Sequence, residues 1–111
     1  MSKESSFEAG IKVRIGLYPF VVCFVARDEI DGCDGKTMHN ERTIKIRNDL
    51  DDIATEIVLR HEIVHAILGT QGRCFQKKFD LEDVCEFVAY KFPEIQQIVE
   101  CVMKEFEKKY E

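Results

Sequence analysis

The chain has no tryptophan, only two prolines and only three histidines among its 111 residues. It also lacks a long apolar run. The longest, Phe20 to Ala26, falls far short of the ~20 residues that a membrane-spanning helix requires, so no membrane partner is expected. The polar start (Ser2, Lys3, Glu4, Ser5, Ser6) has no apolar segment of the kind a secretory leader carries, and residues 1–10 are expected to be flexible. The five cysteines (23, 33, 74, 85 and 101) are odd in number and form no C-x-x-C pair. Free thiols are therefore expected rather than a disulfide framework, with Cys23 and Cys101 as small core residues and a cytoplasmic location. Lysine and arginine nowhere gather into a basic stripe, and a net charge of −5 argues against a nucleic-acid surface.

What is present suits one globular domain spanning 1–111, with 45% hydrophobic and 33% charged residues. Strand patterns come first. Ile11-Lys12-Val13-Arg14-Ile15 alternates apolar and basic, residues 20–26 are apolar and β-branched, and residues 42–47 alternate again. The charged outer face of 42–47 suggests an edge strand. Between them, Asp28 to Gly35 reads as a solvated loop that lacks the ligand register of a calcium site. Helical periodicity follows near 51–68, 81–92 and 94–109. An acidic cluster (Asp49, Asp51, Asp52) opens the first of these helices, Gly69 stands where it should stop, and Pro93 separates the second from the third. The expected fold class is α+β, with an antiparallel or mixed sheet of about three strands followed by three helices. Ile95, Ile98, Val99, Val102, Met103 and Phe106 form one stripe, read as core packing, with a homodimer seam as the alternative.

Two of the three histidines lie in His61-Glu62-Ile63-Val64-His65, an H-E-x-x-H pattern within a helix-period segment. A spacing of four sets both imidazoles on one helical face, where they can grip one Zn²⁺. Glu62 between them is placed to take a proton from the ion's water and pass it to a leaving amine. A catalytic zinc needs a third protein ligand and one open position. Glu82 and Glu86 share a helical face downstream, and the short intervening loop favours Glu82 as ligand with Glu86 as an outer partner of a liganding histidine. Glu86 as the ligand is the alternative. An extended protein or peptide substrate would pair with the backbone of Arg42, Thr43, Ile44, Lys45 and Ile46. His39, Tyr18 and Tyr90 are candidate donors to a developing oxyanion.

The stretch from His61 to Leu68, a glycine-containing loop, and Glu82-Asp83-Val84-Cys85-Glu86-Phe87-Val88-Ala89 together resemble the small zincins of phages and prophages. These are related to the ImmA/IrrE-type metallopeptidases within the gluzincin class. The resemblance covers roughly residues 40–95. It departs from the ImmA-like pattern at Cys85 and Glu86, where alanine and asparagine are usual. It implies a minimal zincin-like fold, with an edge strand ahead of the motif helix and a glutamate on the next helix completing the site. The function it implies is zinc-dependent hydrolysis of a peptide bond in a specific intracellular protein, tied to a phage or mobile element. A zincin fold serving as a non-catalytic binding or regulatory module, with the metal structural or absent, is the other reading.

Overall fold

Apolar residues at every second position make β1 (Ile11–Ile15) one-sided: Ile11 and Ile15 are buried while Lys12 and Arg14 are exposed. A two-residue turn leads into β2 (Tyr18–Val25), which pairs antiparallel with β1. In β2, Phe20, Val22 and Phe24 face the helices, and Cys23 and Val25 face the other side with Ile30. Burial on both faces explains the unbroken apolar run. Burial also pushes the Cys23 thiol up from its ordinary value, with smaller influences from Lys45 and Glu29. The computed structural model describes residues 10–70 and 81–110, apart from the side chains of 81–83, 86, 109 and 110. The expectations for a flexible start, for Cys74 and for the loop after residue 70 lie outside the described residues.

A 3₁₀ turn (Arg27–Ile30) follows β2, and the chain then forms a strand that the sequence pattern did not reveal, β3 (Gly35–Met38). A four-residue turn, closed by the Arg42 N–H donating to the His39 carbonyl at 3.2 Å, leads into β4 (Thr43–Arg47). The sheet has four strands in the order β1-β2-β4-β3, with β2 and β4 parallel and the other pairs antiparallel. The expected edge position of residues 42–47 is therefore corrected. β4 is an inner strand, hydrogen-bonded to β2 on one side and β3 on the other, and β3 stands at the end of the sheet. Its alternation has a different cause. Ile44 and Ile46 enter the core, while Lys45 lies on the sheet's more open face. Arg47 anchors the end of β4, with Nε donating to Asp49 at 2.8 Å and Nη1 to Asp34 at 2.9 Å. Hydrogen bonding to Arg47 also holds the Asp49 carboxyl below its ordinary value.

Helix α1 (Asp52–Thr70) starts as the acidic cluster suggests, with Asp51 Oδ1 accepting the Ala54 N–H at 2.7 Å. It does not stop at Gly69, which lies in its last turn. Helix α2 (Leu81–Tyr110) corrects the larger expectation, since one helix runs through Pro93 where two were expected. An interior proline costs about 3 kcal/mol, because it removes one helical hydrogen bond and crowds the preceding turn. Helix α2 then buries Ile95, Ile98, Val99 and Val102 against the sheet and α1. At about 1.5–3 kcal/mol for each buried aliphatic side chain, that gain exceeds the proline's cost. Met103 and Phe106 pack half-buried on the same core, so the stripe is the helix's core face. Cys101, expected inside, is exposed. Among the described residues, no helix is long and apolar enough to cross a membrane.

Candidate metal and substrate site

Helix α1 lies on the sheet with Thr55, Leu59, Glu62, Ile63, Ala66 and Ile67 buried, which leaves His61 and His65 exposed on its flank. Their Nε2 atoms approach to 3.2 Å, with the rings edge to face. Two nitrogens bound to one zinc at about 2.0–2.1 Å in tetrahedral geometry stand about 3.3–3.4 Å apart. The same 3.2 Å is a hydrogen-bond contact between the two rings, and its length is compatible with two ligands of one ion. Among the described residues, no group of three or more His, Cys, Asp or Glu side chains is placed to hold a metal.

Glu62 points away from solvent, at 6% exposure. A buried carboxylate needs a donor, and β3 supplies it. The Thr37 hydroxyl donates to Glu62 Oε1 at 2.6 Å and lies 3.1 Å from the Glu62 carbonyl oxygen. Thr37 is a functional candidate that the sequence reading missed. The available signal was slight, a β-branched side chain two residues from Gly35. Gly35 matters for a related reason. A Cβ there would stand 2.7 Å from Val58 Cγ1 and 3.0 Å from Glu62 Cγ, so only glycine lets β3 approach α1 this closely. Gly35→Ala should destabilise the protein by about 1–3 kcal/mol through overpacking, read as a fall of several degrees in Tm. An unchanged Tm would refute the close approach.

The other candidates are distributed unevenly. Glu82 and Glu86 fall on the first turns of α2, but their side chains lie outside the described residues. Val84, Phe87 and Val88 share an apolar cavity of about 290 Å³ with Val64 and Leu68, which sets those turns beside the turn of α1 that carries His65. Of the candidate donors, Tyr90 is 80% exposed on α2. His39 and Tyr18 meet in a second cavity of about 230 Å³, together with Phe20, Arg42, Gly69 and Thr70. His39 packs directly on Gly69, where a Cβ would collide with its ring. Of the residues assigned to substrate pairing, Thr43, Ile44 and Ile46 are buried and Lys45 is half-buried within the inner strand β4. Their backbone edges are taken, and that role is not available to them. Arg42 is exposed in the turn before β4, with φ +50°.

Compared with protein-family models, with curated proteins and with solved structures, the chain gives no match.

Proposed function

We propose that this protein is a zinc-dependent metallopeptidase of the zincin type, acting on a protein or peptide substrate. The observation that carries the reading is the convergence of His61 and His65 Nε2 at 3.2 Å, beside a buried Glu62 held by Thr37. A purely structural zinc site has no use for a carboxylate at that position, whereas hydrolysis needs a base there. Bound zinc would polarise the substrate carbonyl and make water a better nucleophile at neutral pH. His61 and His65 would supply two ligands, with Glu82, or alternatively Glu86, as the third. Glu62 accepts a proton from the attacking water through the oxygen that Thr37 leaves free, and then delivers it to the leaving amine. An extended substrate pairs with the outer edge of β3, beside α1, in place of the inner strand first expected. A phage or mobile-element setting and an intracellular target rest on the sequence resemblance alone.

The test is metal content together with cleavage of a diverse peptide library. Purified protein should carry near-stoichiometric zinc, and cleavage should stop on chelation and return on adding zinc. Failure to take up zinc would overturn the proposal. Zinc without cleavage would leave the non-catalytic module.

A further inference from the structure

The cavity at the end of α1 has a chemistry that the proposed hydrolytic step does not use. It brings the Arg42 guanidinium, the His39 imidazole, the Tyr18 ring and the end of α1 at Gly69 and Thr70 around about 230 Å³. Arg42 lies over the Tyr18 ring, 5.8 Å from its centroid, a contact that leaves the planar guanidinium fork able to donate outward. The chain carries 21 acidic and 16 basic side chains, yet no ion pair among the described residues takes up Arg42. Arginine's forked donors match a carboxylate, and His39 and the Tyr18 hydroxyl add further donors.

The position is as informative as the chemistry. His61, His65 and Gly69 recur at intervals of four along α1, so they lie on one face of the helix. Gly69 leaves its place on that face to His39, whose ring packs there. Four residues of helix rise about 6 Å, and an extended peptide advances about 3.3–3.6 Å per residue. Strand β3 leads to the same place. Gly35 and Thr37 touch the Val58–Glu62 stretch of α1, and His39, just past the strand, touches Gly69. A peptide on the outer edge of β3 therefore runs toward the His39 side of this cavity.

We propose that the cavity lined by Arg42, His39 and Tyr18 is a carboxylate-binding subsite, which selects peptides with a carboxylate about two residues from the bond held at the His61–His65 pair. This deepens the peptidase reading and rests on it for its placement. The carboxylate is either a chain terminus or an acidic side chain. A peptide parallel to β3 brings its C-terminus to the cavity, and an antiparallel one brings a side chain.

The probes are acetyl-trialanine as free acid, the same peptide as C-terminal amide, and acetyl-Ala-Glu-Ala-amide, titrated into the full chain while the His39 ring resonances are followed. The variant is Arg42→Asn, because asparagine tolerates a positive φ better than most residues and should preserve the turn. At least one carboxylate probe should bind at least tenfold more tightly than the neutral amide, and that advantage should vanish in Arg42→Asn. Preference for the free acid assigns the C-terminus, and preference for the glutamate peptide assigns a side chain. Equal binding of all three probes, or an advantage unchanged in Arg42→Asn, overturns the subsite. Measuring zinc uptake on the same preparation separates the two proposals. A carboxylate preference in protein that takes up no added zinc keeps the subsite and sinks only the peptidase reading. Zinc retained with no such preference sinks the subsite alone.

Discussion

Glu62→Gln should cost at least about 10²–10⁴-fold in peptide hydrolysis while leaving zinc binding and Tm nearly unchanged, since that range is what a positioned general base contributes. The separation of effects follows from where the side chain sits. Glutamine has the same shape, and its amide oxygen can accept the Thr37 hydroxyl that now donates to Oε1 at 2.6 Å. The buried position at 6% exposure therefore keeps a hydrogen-bonded occupant. What is lost is Oε2, the oxygen that Thr37 does not bond and that the proposed mechanism uses as base, and an amide nitrogen cannot replace it. His61 and His65 lie on the flank of the helix, and their approach involves no atom of Glu62. Zinc content and turnover should be measured on the same preparation. Full activity with full zinc in Glu62→Gln would remove Glu62 from the mechanism.

The resolution of Glu62 from its neighbours illustrates what the sequence could and could not convey. Helix α1 was legible because its signals are local: Asp51 caps it, apolar residues recur at helical spacing, and the H-E-x-x-H pattern rides on that periodicity. Strand β1 and the buried run of β2 were legible through their own alternation and continuity. Strand β3 was hidden, because Gly35-Lys36-Thr37-Met38 has weak strand propensity and gains its place only through pairing with β4 and contact with α1. Missing it moved the sheet edge by one strand, so the substrate edge was assigned to residues that are in fact paired on both sides. Pro93 misled for the same reason in reverse. Its local penalty is real, but Ile95, Ile98, Val99 and Val102 override it through tertiary burial. Thr37 and the His39–Gly69 contact are both long-range, at a separation no periodicity could register.

Removing metal ligands should produce the other large effect, and its pattern decides the third ligand. His65→Ala should abolish stoichiometric zinc, since one of two convergent nitrogens 3.2 Å apart disappears and a single imidazole from this helix cannot hold the ion alone. For the two glutamates the expected magnitudes differ by role. An outer carboxylate that orients a liganding histidine typically costs about 10–100-fold in metal affinity when removed, and a direct ligand should cost more than that range. If Glu82 is the ligand, Glu82→Ala should weaken zinc more than about 100-fold while Glu86→Ala stays within about 10–100-fold. The reverse order would give the ligand role to Glu86, one turn further along the same face of α2. Both positions lie in the first two turns of α2, whose Val84, Phe87 and Val88 meet Val64 and Leu68 of α1. Competition of each variant against a chromophoric zinc chelator measures these affinities directly. Full zinc retention in Glu82→Ala and Glu86→Ala alike would leave the His61–His65 pair without a carboxylate partner from α2 and return the third position to another group.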